Sequence, residues 1–100
     1  MSLKSDLIAA AAIPTGKSDF AGQEVDIRGL TAAEEILYSE DGFKGFVKNA
    51  IPICAACIVD NGKPVFEVKD LTGIKSGVLK AVLMDIINIS YPDAKVTEKN

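Results

Sequence analysis

The residues with the clearest chemical meaning in this chain are Cys54 and Cys57, which are separated by two alanines. A Cys-x-x-Cys dithiol can cycle to a disulfide when its first thiolate is exposed at a helix N-terminus. Here both cysteines follow the apolar Ile51 and precede Ile58 and Val59, and a buried cysteine behaves as a small hydrophobic residue. We therefore expect both cysteines in the core, and keep a thiol oxidoreductase as a minor alternative.

Other catalytic arrangements lack their usual partners. The chain has no histidine, so a Ser or Cys nucleophile lacks its common base. A structural zinc site needs about four ligands, and the chain offers two cysteines. Gly16-Lys17-Ser18 resembles the end of a phosphate-binding loop, but Ala11 stands where that loop requires glycine. We expect no enzymatic activity, no cofactor and no metal site.

The composition is typical of one acidic globular domain. The chain has 100 residues, 48% of them hydrophobic, and a formal net charge of −3, which suits a single domain over residues 1–100. The lysines are scattered, so no basic patch for nucleic acid is predicted. The apolar run Leu7–Ile13 is too short to span a bilayer. A signal peptide needs a longer apolar stretch, and Asp6 stands where that stretch should build. We expect a cytoplasmic protein that binds neither nucleic acid nor membrane.

The elements that must position these residues begin with a helix and a hairpin. Ser2 or Ser5 can cap a helix within residues 1–14. Two extended runs around the three-residue loop Ala21-Gly22-Gln23 then predict a β-hairpin over residues 17–29.

Helices are predicted for the part of the chain from residue 31 to residue 90. Thr31 and Glu34 stand at capping-box spacing and should begin a helix that runs to about Tyr38. From Phe43 to Ile58 the apolar residues recur at helical spacing.

Two features complicate the helix from residue 43 to residue 58. Pro52 lies inside it and should kink the helix or split it in two. A competing interpretation makes Ile53–Val59 a buried strand that turns at Asn61-Gly62 into Val65–Val68, because Asn-Gly between apolar runs is a strong hairpin signal.

A long apolar helix is predicted to begin near Asp70 or Thr72 and to end before Pro92. Its apolar side chains cover roughly 220° of the circumference, whereas one small core uses about 100° or a little more. The surplus surface should contact a partner or a second copy of the chain. We assign Leu79 and Leu83 to the domain's own core, and the following residues to oligomer or partner contact: Ile74, Val78, Val82, Ile86 and Ile89.

The predicted fold class is therefore α+β and mainly α. A small N-terminal β-hairpin precedes a helical domain that ends in the long apolar helix. The predicted division is an N-terminal helix (1–14), the hairpin (17–29), the helical part (31–90) and a loose polar tail (91–100).

The order of three passages resembles that in tail assembly chaperones of long-tailed bacteriophages or prophages, of the lambda-like and HK97-like groups. The passages are Val25–Glu34, Asp60–Phe66, and Asp70-Leu71 with the helix that follows. The resemblance spans roughly residues 5 to 90. It implies a non-catalytic protein of the bacterial host cytoplasm that binds and solubilises the tape measure protein and assists polymerisation of the tail tube protein. It agrees with the expected homo-oligomer.

Two other classes of function remain open at this point. The chain could be a small structural tail or head–tail connector subunit of the virion, which would then be present in purified particles. It could also be the thiol oxidoreductase considered above, in which case reductase activity would be lost in Cys54→Ser.

Overall fold

The computed structural model describes residues 2–92, and within that range it contains six helices and one four-stranded antiparallel sheet. The elements are α1 (Leu3–Ala10), β1 (Thr15–Phe20), β2 (Gln23–Arg28), α2 (Ala32–Tyr38), α3 (Phe43–Lys48), α4 (Ala50–Cys57), β3 (Ile58–Asp60), β4 (Lys63–Pro64), α5 (Val68–Leu71) and α6 (Ser76–Ser90). The α+β class with more helix than strand is as predicted. Most of the predicted loose tail, from residue 93 onward, lies outside the described residues.

The first hairpin is longer and tighter than predicted. Its strands pair from Thr15↔Arg28 to Phe20↔Gln23, so the loop has two residues instead of three. Ala21 (φ 53°) and Gly22 (φ 91°) both have positive φ, which the two-residue turn of a twisted hairpin requires. Gln23 therefore belongs to β2.

A second hairpin completes the sheet, which has the order β1-β2-β3-β4. Strand β2 pairs with β3 at Ile27↔Ile58, and β3 turns through Asn61 and Gly62 into β4. The two interpretations of residues 53–59 are each correct for part of the segment. Residues as far as Cys57 are helical, and the strand begins at Ile58. The helix stops there because the backbone of Ile58 pairs with β2.

Pro52 divides the predicted apolar helix into α3 and α4, as expected. The break falls at Asn49, so Pro52 is the third residue of α4. An N–H at that position has no acceptor within its own helix, so the proline removes no hydrogen bond there. Helix α3 ends at Lys48, the residue four positions before the proline.

Helix α6 packs on β1, β2 and α4. The Ser18 hydroxyl donates to Asp85 Oδ2 at 2.7 Å and connects β1 to α6. The Ser90 hydroxyl accepts from the Leu30 N–H at 2.8 Å and donates to the Ile86 carbonyl at 2.7 Å. The largest fully buried side chains share this layer: Ile27, Ile53, Ile58, Leu71, Leu83, Ile86, Ile87 and Val82.

The predicted long apolar C-terminal helix is not found. A short helix, α5, ends at Leu71, and α6 begins only at Ser76. Gly73 lies between them, and glycine costs roughly 1 kcal/mol relative to alanine inside a helix. Helix α6 also exposes residues such as Gly77 and Lys80 on one side, so it is amphipathic.

The predicted capping box at the start of α2 is confirmed and carries an ion pair. Glu34 accepts from the Thr31 backbone N–H at 3.0 Å, and the Thr31 hydroxyl accepts from the Glu34 N–H at 3.1 Å. Arg28, at the end of β2, donates from both terminal nitrogens to the Glu34 carboxylate at 2.9 Å. Chiefly through Arg28, the pKa of Glu34 is lowered to about 2. This side-chain pair connects β2 to α2.

The Arg28–Glu34 pair should make folding stability depend on pH in a defined window. Because the pKa of Glu34 is lowered in the folded state, its contribution is present above the ordinary value of 4.5 and is lost as the pH falls toward about 2. We expect Glu34→Gln to lower the free energy of unfolding at pH 6 by about 1.5 kcal/mol. The difference from wild type should vanish at the acid end of the window.

Urea denaturation at pH 6 and near pH 2, the acid end of the window, measures this dependence. The exposed Glu40 provides the matched substitution, Glu40→Gln, which should leave the urea midpoint nearly unchanged at both values. Equal midpoints for wild type and Glu34→Gln at pH 6 would show that the pair contributes nothing to stability.

Candidate functional site

The cysteine pair is part of the core. Cys54 and Cys57 are free thiols with 0% exposure in α4, and the Cys54 thiol donates to the Leu79 carbonyl at 3.6 Å. Burial raises the pKa of Cys54 to about 12, and Cys57 adds to that increase. Burial also raises the pKa of Cys57 to about 11, against the opposing effect of the Arg28 guanidinium. Reactive thiols are exposed and have lowered pKa values, so this environment is the reverse of a redox site.

Gly16-Lys17-Ser18 lies within a β-strand and does not form a phosphate-binding loop. The Ser18 side chain is buried against Asp85, and Lys17 pairs with Asp26 on the neighbouring strand. A phosphate-binding loop leads into a helix whose N-terminal amides face the anion, whereas these three residues are followed by the turn of the first hairpin. Both polar side chains are already engaged by carboxylates of this chain.

One groove, of about 470 Å³, lies on the side of the sheet opposite α6, and Ile13, Lys17, Asp26, Arg28 and Val59 are among its lining residues. Both of its cationic side chains are paired with carboxylates. Among residues 2–92, no group of three or more Cys, Asp or Glu side chains is placed to hold a metal ion.

The predicted contact residues of the last helix divide into two groups. Val82 and Ile86 have 0% exposure and belong to the chain's own core, so in this fold they are not available to a partner, and their assignment to a contact surface is corrected. Ile74, Val78 and Ile89 are only partly buried, and for them contact with a partner stays a prediction.

The sheet explains why the prediction for Val82 and Ile86 was wrong. Helix α6 packs against α4 and also against β1 and β2. A Cβ at Gly16 would lie 3.4 Å from Ile89 Cγ2, which shows how closely β1 approaches the helix. The sequence pattern correctly indicated a second cover for the wide apolar surface, but that cover is the chain's own sheet.

The five most exposed large apolar side chains lie instead on α1 and α2. No residue of α1 or α2 is buried. Exposure is 72% for Leu3, 58% for Leu7 and 63% for Ile8 in α1, and 79% for Ile36 and 66% for Leu37 in α2. We call these five residues the helical apolar surface. The sequence shows that both short helices contain apolar residues, but only the structure shows that these side chains are not covered by the core.

Comparisons with protein-family models, with curated proteins and with solved structures found no match for this chain. No helix within residues 2–92 is both long and apolar enough to cross a membrane.

The core position of the cysteines predicts slow thiol chemistry. At pH 8 the native protein should react with the disulfide reagent DTNB about 100-fold more slowly than the urea-unfolded chain, because burial raises the pKa of Cys54 to about 12 and that of Cys57 to about 11, and both sulfurs are covered. Absorbance of the released thiolate follows the reaction. Rapid modification of either cysteine in the folded protein would revive the dithiol interpretation.

The corrected position of Ile86 predicts a large stability cost for its truncation. Ile86→Ala should lower the free energy of unfolding by about 2–5 kcal/mol, because it leaves a cavity between α6 and its neighbours. Ile36→Ala removes the same atoms from a 79% exposed side chain and should change stability by less than about 0.5 kcal/mol. Denaturant titration of both variants makes the comparison, and similar costs would contradict the burial described here.

Proposed function

We propose that this chain is a non-catalytic tail assembly chaperone of a phage or prophage, which binds and solubilises the tape measure protein in the bacterial host cytoplasm and assists polymerisation of the tail tube protein. The observation that carries the proposal is the helical apolar surface, Leu3, Leu7, Ile8, Ile36 and Leu37, which the chain leaves in solvent. The resemblance of the three sequence passages supplies the kind of client.

Helix α1 has the physical properties of a segment that needs a partner. It is eight residues long and buries none of them in its own chain, whereas isolated helices shorter than about 12–15 residues are marginal in water. Leu3 and Leu7 are one turn apart and so lie on the same face. Docking of that face on an apolar helix of a client would bury both side chains and stabilise α1.

Helix α2 offers a second apolar contact, and its N-terminus is better anchored to the fold than that of α1. Its start is held by the Thr31 capping box and by the Arg28–Glu34 pair, so Ile36 and Leu37 are presented to solvent from a positioned helix. Several linked weak contacts can cover a long apolar client, because their combined avidity exceeds the affinity of each contact alone. Leu37 and Ile36 would therefore act together with α1.

The position of the cysteines favours an assembly role over the oxidoreductase. Both thiols are buried, with pKa values raised to about 12 and about 11. The structural tail or connector subunit stays as an alternative, because an exposed apolar surface also suits a permanent virion contact. Detection of the chain in purified particles would favour that alternative.

Co-expression tests the chaperone proposal. The client is the long helical protein expected to be encoded immediately downstream, and we expect it to be soluble with this chain and aggregated without it. Leu3→Ser with Leu7→Ser should reduce the soluble client several-fold, because it removes the apolar face of α1. Sedimentation and immunoblotting of the client measure the effect.

The matched control replaces polar residues of the same helix. Ser5 and Lys4 are also exposed on α1, and Lys4→Ser with Ser5→Ala should leave client solubility unchanged. Circular dichroism of every variant checks that the domain stays folded. Undiminished client solubility with the leucine variant would reject α1 as the binding surface, and insolubility of the client with wild type would reject the chaperone function.

A further inference from the structure

Strand β1 forms one edge of the sheet, and the hairpin register fixes which of its backbone groups face outward. In a two-residue hairpin the residues next to the turn, Phe20 and Gln23, form a hydrogen-bonded pair, and such pairs then alternate along the ladder. The Gly29 N–H to Pro14 carbonyl bond, at 2.8 Å, fits this alternation. The backbone groups of Thr15, Lys17 and Asp19 therefore point away from β2.

Within residues 2–92, no backbone hydrogen bond to another segment occupies these outward groups, and the three side chains are exposed. An edge of this kind is a template for another strand. The edge is also short and polar, so a partner for it must complement a lysine and an aspartate two residues apart.

We infer that two copies of this chain associate through their β1 strands, antiparallel and about a two-fold axis at Ser18. In that register Lys17 of each copy lies opposite Asp19 of the other. The backbone N–H and C=O groups of both residues point away from β2, so each opposed pair can exchange two backbone hydrogen bonds between the copies. The opposite charges of the two side chains add a second contact. The two four-stranded sheets join into one, with a self-complementary interface as two-fold symmetry requires.

Charge selects this register over its neighbours. A shift that centres the axis on Lys17 places two lysines opposite each other, and a shift that centres it on Asp19 places two aspartates opposite each other. Like charges directly across a strand pair are destabilising. Only the register centred on Ser18 forms two unlike pairs from the same two residues.

The side chains have the freedom that this pairing requires. The Lys17 side chain is 62% exposed although it pairs with Asp26 of its own chain, so its ammonium group can reach a second carboxylate. Asp19 Oδ2 accepts from the Gly22 N–H at 3.3 Å, and its other oxygen can face the second copy.

The same register also fixes which residues would be opposed on the face of β1 toward α6. There Gly16 lies opposite Phe20 of the second copy, and Ser18 lies opposite Ser18. In each copy Ile89 of α6 already covers Gly16, because a Cβ at that glycine would lie 3.4 Å from Ile89 Cγ2. Phe20 is partly buried and stacks on Phe66 with ring centroids 5.4 Å apart, so it is held in position before the copies meet.

Two complementary charge-reversal variants test the inference. Asp19→Lys gives an edge with two lysines, and Lys17→Asp gives an edge with two aspartates. We expect wild type to be a dimer by sedimentation velocity, and each variant alone to dissociate at a concentration at least about tenfold higher. An equimolar mixture of the two should form a heterodimer with near wild-type affinity, because every opposed pair is again unlike.

The matched control is Glu24→Lys, which makes the same charge change opposite Asp19 but on the inner strand β2. It should leave the dimer intact, and circular dichroism confirms the fold of each variant. A wild-type monomer at every accessible concentration would overturn the inference and leave Lys17 and Asp19 as charges that keep the edge unpaired. Failure of the mixed variants to associate would overturn the proposed register.

Discussion

The burial of α6 on two sides is the interaction on which the other layers depend. Both the sheet, through β1 and β2, and α4 pack on this helix. Polar contacts fix the alignment at both ends of the contact with β1 and β2, through the bond from Ser18 to Asp85 and through Ser90, which bonds to the Leu30 N–H. Without α6 the hairpin would lose the helix that packs on both of its strands, and the Cys54 thiol would lose its bond to the Leu79 carbonyl.

Local sequence signals were sufficient to predict the elements whose formation depends on neighbouring residues. The Thr31–Glu34 capping box, the split caused by Pro52 and the first hairpin depend on residues within a few positions of one another, and the structure contains all three. The hairpin loop was predicted one residue too long because Ala21 adopts positive φ, which its side chain gives no reason to expect.

The candidate site could be predicted only in part, because exposure depends on distant packing. The periodicity of α6 showed that its apolar surface was too wide for one contact, but periodicity carries no information on which segment covers it. The pairing of Ile27 with Ile58 brings two strands together across thirty-one positions, and no local pattern indicates it. For the same reason the apolar residues Ile36 and Leu37, which resemble core residues in the sequence, are exposed in the structure.

Surfaces of opposite character therefore occupy different parts of the molecule. The helical apolar surface lies on α1 and α2, whereas the β1 edge presents backbone groups flanked by Lys17 and Asp19. A dimer formed through the polar edge would leave both apolar helices of each copy free. Self-association and client binding would then not compete, and the dimer would present two sets of apolar helices to one long client.

The contact between β1 and α6 also has a consequence for the order of events during synthesis. Ser18 and Asp85 are 67 residues apart in the chain, so the N-terminal hairpin is made long before the helix that covers it. Until α6 has left the ribosome, the inner face of the hairpin, with Val25 and Ile27, has no apolar cover. The closing of so long a loop makes the final docking a late event, and a nascent chain that is released before residue 90 cannot complete its fold.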